Sequence, residues 1–132
     1  MRQKHAIDLE TARKVAAAAE YEALKHGLQV VVAIVDEGGH LIYLQRDAAQ
    51  PGSVEVAIGK AKSALLFRRS TRAFEELVES GRQGYLAMPD VMPLEGGEPL
   101  VYQDEIVGAI GVSGAKSTED GVVARAGAAA IQ

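Results

Sequence analysis

Apolar residues recur along this chain with two different spacings, which predict alternating helices and strands. The first helical face is formed by Leu9, Ala12, Ala16, Ala19 and Ala23. These residues are three or four positions apart, which is the period of one face of an α-helix. Asp8 is a favourable N-cap residue and Gly27 a natural stop, so a helix is predicted between them. Its face is narrow and consists almost entirely of alanine.

A β-hairpin is predicted over residues 29–46. QVVVAIVD is apolar and rich in β-branched residues, as buried strands are, and LIYLQR after the turn EGGH reads as a second strand. If side chains alternate regularly along the second strand, Ile42, Leu44 and Arg46 share one face. An arginine on an apolar face either pairs with an acid or binds an anionic ligand.

A second helix is predicted from Ser53, as its N-cap, to about Ser80. Residues 85–99 contain three prolines and a Gly-Gly pair and predict an irregular region. EPLVYQ and IVGAIGVSG read as strands joined by a tight turn at Asp-Glu. STED, residues 117–120, matches a capping box with aspartate in the place of the usual glutamate, so a last helix is predicted there. Consecutive hairpins and intervening helices predict an α+β fold with an antiparallel sheet.

Composition narrows the classes of protein that this chain can represent. With 132 residues a single domain is expected, spanning residues 1–132, and a net charge of −4 disfavours nucleic acid as a partner. The absence of cysteine excludes disulfides and cysteine nucleophiles. The polar N-terminal segment lacks the apolar core of a signal peptide, and no apolar run is long enough to cross a membrane, so a cytoplasmic protein without membrane contact is expected. Alanine-rich faces favour a subunit that completes its burial in an oligomer.

The predicted hairpin turn carries residues that can be explained by turn chemistry or by binding. Gly38 and Gly39 supply positive φ, and Asp36 can bond to the backbone of its own turn. His40 beside them can act as a general base or a haem ligand, or it can simply be exposed. The histidines lack the spacing of a metal site, so no structural metal is expected.

Two further stretches carry candidate chemistry. Lys60 lies among alanines of the second helix, where its ammonium could hold a carboxylate. Gly96 and Gly97 either let the backbone approach a ligand closely or turn the chain, and Glu95 beside them could act as a base. The glycines of GAIGVSG do not match a dinucleotide-binding motif and are typical of a strand packed closely on a helix.

Four stretches of the chain are distinctive when taken together: VVVAIVDEGGHLIYLQRDAA, AIGKAKSA, LEGGEPL and IVGAIGVSGAKSTED. They resemble the GlcG/HbpS-like family over roughly residues 8–130. The resemblance implies a profilin-like subunit with an antiparallel sheet of about five strands that forms homodimers or higher oligomers. Several members bind haem and some are described as haem-degrading, so haem is the candidate cofactor. The family's motif positions correspond here to Asp36, Gly38, Gly39, Arg46, Ser53, Lys60, Gly96, Gly97, Ser113 and Asp120.

These residues support two functional hypotheses, and a third interpretation is an accessory or scaffold protein whose only role is assembly. The first is a small-molecule-binding oligomer whose ligand, haem or another carboxylate-bearing compound, lies near a subunit interface. Its ligand-binding residues would be Asp36, Gly39, Arg46, Lys60, Gly96 and Gly97. The second is a metal-independent isomerase, lyase or hydrolase of small organic acids. In that enzyme Glu95, His40 or Asp36 would act as the base, and Arg46 would hold the substrate.

Overall fold

The computed structural model describes residues 1–131 and contains one antiparallel sheet covered by helices. The helices are α1 (Leu9–Lys25), α2 (Ser53–Phe67), α3 (Thr71–Glu79) and α4 (Ser117–Ala128), with a 3-10 helix at Gln83–Ala87. The strands are β1 (Val31–Asp36), β2 (Leu41–Gln45), β3 (Gly97–Tyr102) and β4 (Glu105–Ser113), in the spatial order β2-β1-β4-β3. The predicted α+β class is confirmed, with four described strands where the resemblance implies about five. Among residues 1–131, no helix is long and apolar enough to cross a membrane.

The sheet separates two cores because its central strands are apolar on both faces. Val32 and Ile34 of β1 pack with α1 and α4. Val31 and Ala33, from the alternate positions, pack toward Ala57 of α2. Strands buried on both faces are continuous apolar runs, which is why VVAIV shows no polar alternation.

The first helix begins and ends as its sequence predicts. The Asp8 carboxylate accepts a hydrogen bond from the Thr11 backbone N–H, 2.9 Å away, which satisfies one free donor of the first turn. Ala12, Ala16 and Ala19 are completely buried. Gly27 follows the helix with a positive φ of 66°. The alanine face is therefore a packing surface, and it lies against α4 and the sheet.

The second predicted helix is wrong in length and in its N-cap. It divides into α2 and α3 because Arg68 adopts a left-handed conformation, with φ 55°, and ends α2. Ser70 then starts α3 by accepting a hydrogen bond from the Arg72 backbone N–H. Ser53 is the first helical residue rather than the cap, which is Gly52. The break brings α3 onto the loop before β3, where a continuous helix would have carried it away.

The regular alternation predicted for β2 is also wrong. The pairing register shifts between Ile34 and Val35, so the chain contains a β-bulge opposite them. As a result Ile42 packs with the α1/α4 core, while Leu44 pairs with Ala33 on the other face. Arg46 is exposed beyond the end of the strand and does not share a buried face with Ile42.

In the C-terminal half of the chain, the β3–β4 turn and the N-cap of the last helix each lie one residue before their predicted positions. The turn between β3 and β4 consists of Gln103 and Asp104, with φ values of 49° and 64°, rather than Asp-Glu. Lys116 is the N-cap of α4, and its backbone N–H donates a hydrogen bond to the Glu119 carboxylate. The predicted capping box at Ser117 is therefore wrong, and Asp120 is free for a different role.

Candidate functional site

A buried ion pair joins the helices on opposite sides of the sheet. The Lys60 ammonium of α2 donates to the Asp120 carboxylate of α4, 3.0 Å away, and to the Val112 carbonyl, 2.9 Å away. Both residues are 2% exposed. Burial raises the pKa of Asp120, and the Lys60 charge opposes that rise. Because its ammonium is already bonded and enclosed, Lys60 is closed to solvent within this subunit.

The Gly96-Gly97 pair packs against this ion pair. A side-chain Cβ at Gly96 would stand 2.9 Å from the Lys60 Nζ, and one at Gly97 would meet the Lys60 carbonyl oxygen. Gly96 also has a φ of 132°, which L side chains rarely adopt. The close approach that the sequence indicates is therefore an approach to Lys60, inside the protein.

A second polar group lies beside the pair and reaches the surface. The Glu95 carboxylate, 4% exposed, lies over Gly121 of α4 and accepts a hydrogen bond from the Arg125 guanidinium at 3.0 Å. The Glu98 carboxylate is 3.8 Å from the same guanidinium nitrogen. Arg125 is thus shared by two carboxylates that are largely removed from water, while 42% of its own side chain remains exposed.

Helix α3 supplies the remaining contacts of this group. The Ser70 hydroxyl donates to Glu98 over 2.6 Å, and Thr71 accepts the Gly97 backbone N–H at 2.8 Å. Glu75 accepts the backbone N–H of Glu95 at 2.9 Å. Burial raises the pKa of Glu98, and the Ser70 and Arg125 contacts oppose the rise. The break at Arg68 is what places these side chains here.

Arg125 also lines a surface groove that runs between β3 and α4. The groove has a volume of about 660 Å³, and its apolar lining includes Pro99, Val101 and Ala128. Tyr102 and Ile131 line both this groove and a neighbouring cavity of about 240 Å³. Gln103 and Asp104 of the β3–β4 turn also line the groove. A cation, an aromatic ring, aliphatic walls and a few polar groups therefore border one concave surface, which is the mixture that small-molecule sites present.

The N-terminal segment closes one end of that surface with a histidine. The His5 ring meets the Tyr102 ring edge to face, with centroids 5.1 Å apart. Its Nδ1 lies 2.9 Å from a carboxylate oxygen of Glu105. Histidine and tyrosine are both side chains that ligate haem iron in proteins. Within residues 1–131, no group of three or more His, Asp or Glu side chains is arranged to hold a bare metal ion.

The residues predicted for the hairpin site do not join this groove. One Asp36 carboxylate oxygen accepts the backbone N–H groups of Gly38 and His40, each at 2.9 Å, so this aspartate stabilises its own turn. Gly39 has a φ of 86°, as the turn requires. Arg46 donates to the Ala49 carbonyl at 2.9 Å, beyond the opposite end of β2.

Two of the predicted bases, His40 and Glu95, also lie far apart. His40 lies beside Asp36, which pairs with Gly108, whereas Glu95 precedes Gly97, which pairs with Gly111 farther along β4. Glu95 is therefore near one end of the sheet and His40 is at the other. Arg46 is at the Glu95 end, but on β2, with β1 and β4 between it and β3. Within the described residues, these side chains therefore lie at different ends and on different strands of the sheet.

Sequence reasoning missed Arg125 and Tyr102 as possible ligand contacts, and it did not single out His5 among the three histidines. Arg125 stands in an Ala-rich helix as an ordinary exposed cation, and only the tertiary fold places it against Glu95 and the groove. Asp120 could have been recognised as the partner of Lys60, because a lysine placed among buried alanines requires a counter-charge.

Comparison with known proteins gives consistent results at each level. The sequence profile described as "Haem degrading protein HbpS-like" matches residues 7–129. Protein GlcG of Escherichia coli K12 is 39% identical over 114 residues, covering 86% of this chain and 85% of GlcG. The crystal structure of HbpS superimposes with a TM-score of 0.88 at 35% identity, over 98% of this chain and 92% of that one. The haem complex of PduOC gives a TM-score of 0.84 at 26% identity, over 96% and 95% of the two chains.

Proposed function

This chain belongs to the HbpS-like family, and on that premise we propose that it is a small-molecule-binding protein whose ligand bears a carboxylate. Haem is the first candidate ligand, because the family is described as haem-degrading and a structural relative is a haem complex. The proposed site is the groove between β3 and α4, with Arg125 as the group that binds the ligand's carboxylate.

The position of Arg125 is the observation that carries this proposal. Its guanidinium is anchored on the protein side by Glu95 and lines the groove on the other. A guanidinium fixed in this way presents its remaining N–H donors in a defined direction, which suits a planar carboxylate. By comparison, Lys60 is enclosed, and the exposed Arg46 is bonded to the backbone of its own loop.

The rest of the lining fits a flat, largely apolar ligand. Aliphatic residues and Tyr102 provide a surface for a macrocycle, and His5 and Tyr102 provide side chains that can ligate iron. When haem is bound, its iron would supply the redox chemistry, and these residues would hold and orient it. The residues of the groove thus fit the group that the family name implies.

The location also supports a site near a subunit interface. Strand β3 is an edge strand, and Val101 and Tyr102 on it are 45% and 37% exposed. An open strand edge beside exposed apolar side chains favours coverage by another chain. We propose that a second copy covers this edge in a homo-oligomer and closes the groove.

Titrations with haemin and with its dimethyl ester test two parts of this proposal separately: haem as the ligand, and the contact between its carboxylate and Arg125. Titration of the protein with haemin should shift the Soret band and saturate near one equivalent per site. The ester, in which both carboxylates are blocked, should bind at least tenfold more weakly, because it loses a charge-assisted contact worth about 1.5–3 kcal/mol.

Two results would count against it in different ways. Equal affinity of the acid and the ester would remove the role of the carboxylate. The absence of a Soret shift with equimolar haemin would remove haem as the ligand, and a thermal-shift comparison of other aromatic and aliphatic carboxylates would then test the wider class.

A further inference from the structure

Arg125 has two carboxylate partners inside the protein, and a ligand would add a third. We propose that binding of a carboxylate ligand at Arg125 is coupled to the uptake of one proton by Glu98. This inference rests on the proposed function, because it requires that the ligand's carboxylate contact Arg125. It adds that Glu98 is the residue that sets how affinity depends on pH.

The geometry places three groups within reach of one charge. The Arg125 guanidinium nitrogen is 3.0 Å from a Glu95 oxygen and 3.8 Å from a Glu98 oxygen. The glutamate side chains are only 5% and 14% exposed, so water screens their mutual repulsion poorly. Without a ligand, one cation faces two carboxylates and the local charge is −1. With a ligand carboxylate on the same guanidinium it would become −2.

The surrounding helices offer little further compensation. From α3, Arg72 acts favourably on Glu98, but it is exposed and bonded to Glu76, and Glu75 adds another acid beside the Glu95 backbone. From α2, Lys60 is bonded to Asp120 of α4, which already balances its charge. The excess negative charge is therefore relieved most directly by protonating one of the two glutamates.

Glu98 is the better proton acceptor of the two. Burial raises the pKa of Glu98, while Arg125 is one of the groups that lower it, so a ligand that competes for Arg125 removes part of that opposition. Its oxygen also lies 2.6 Å from the Ser70 hydroxyl, a group that can donate to the carboxylate or accept from the protonated acid. Glu95 keeps the shorter contact to Arg125.

The sign of the effect follows from linkage. A ligand whose binding takes up a proton binds more weakly as pH rises, with a limit of about one decade in the dissociation constant per pH unit for one proton. The effect disappears below the pKa of Glu98 in the free protein, where the residue is already protonated. It also disappears above its pKa in the complex.

Haemin titrations of the full chain at pH 6, 7 and 8 test this coupling. The wild type is compared with Glu98→Gln, because the neutral amide mimics the protonated acid. The ratio of the two dissociation constants is used because the titration of haemin itself affects both proteins equally and cancels. We expect the dissociation constant of the wild type, divided by that of Glu98→Gln, to rise with pH between pH 6 and pH 8, by no more than about tenfold per pH unit, so that Glu98→Gln binds more tightly at pH 8. Glu55→Gln removes the same charge from an exposed site on α2 that does not line the groove, so it should follow the wild type.

Parallel pH profiles for the wild type and Glu98→Gln, with both binding haemin, would overturn the coupling and leave the proposed function standing. If haemin does not bind the wild type at any of these pH values, haem as the ligand and the coupling to it are both overturned. Should Glu98→Gln fail to fold, Ser70→Ala replaces it. Loss of the hydroxyl donor should then move the fall in affinity to higher pH, and an unmoved profile would overturn the coupling.

Discussion

Replacing Lys60 with methionine is expected to lower the free energy of unfolding by about 3–5 kcal/mol, the usual cost of removing one partner from a buried ion pair. The substitution leaves the Asp120 carboxylate enclosed without its counter-charge and the Val112 carbonyl without its ammonium donor. The loss should also grow with pH. Burial raises the pKa of Asp120, and the opposing Lys60 charge is gone, so the folded state prefers the protonated acid. Stability is then retained at low pH and lost as pH rises through the folded-state pKa.

Urea unfolding at pH 4.5 and pH 8 measures both effects. The double variant Lys60→Met/Asp120→Leu is the matched control, because two apolar side chains of similar volume can replace a buried pair at little cost. It should recover most of the stability and lose the pH dependence of the single variant. A single variant as stable as the wild type at pH 8 would contradict the assignment of Lys60 and Asp120 as a buried, ionised pair.

Replacing Gly111 with alanine is expected to cost about 3 kcal/mol, the upper range for overpacking a filled core. The added Cβ would meet the Ala57 carbonyl oxygen and stand 2.6 Å from the Ala61 backbone nitrogen. Both are backbone atoms of α2, so no side chain can rotate away. Relief requires the helix to move off the sheet, which would also disturb Lys60 in the middle of α2.

Thermal and urea unfolding of Gly111→Ala should be compared with Gly84→Ala. A Cβ at Gly84 meets no atom within 4 Å, and the substitution should change stability by no more than about 0.5 kcal/mol. If the two variants were equally stable, the close contact between β4 and α2 would not be what requires glycine at position 111.

Local patterns predicted the elements of the fold, because each depends on residues close in sequence. The Asp8 cap, the alanine face of α1 and the strand at VVAIV are examples. The errors occur where a tertiary contact overrides a local preference. Arg68 accepts a left-handed conformation within a helical pattern so that α3 can contact the β3 loop, and the bulge beside Ile42 changes the face of half a strand.

The candidate site was less predictable than the fold. Gly96, Gly97 and Lys60 were recognised as special positions, but their signal reflects close packing around an ion pair. Arg125 and Glu98 carry no distinctive local pattern. Their relation arises only because α4 and β3 lie side by side, at positions separated by 27 residues along the chain.

Haemin affinity in two single-charge variants, Arg125→Gln and Arg46→Gln, tests the central claim most directly. Both remove one positive charge, and glutamine at position 125 can still donate to Glu95, so thermal unfolding should confirm that each variant is folded. If the ligand binds in the groove between β3 and α4, Arg125→Gln should raise the dissociation constant for haemin at least tenfold, while Arg46→Gln should leave it within about twofold. Weakened binding in Arg46→Gln with unchanged binding in Arg125→Gln would contradict a site in this groove and would place the ligand beside β2.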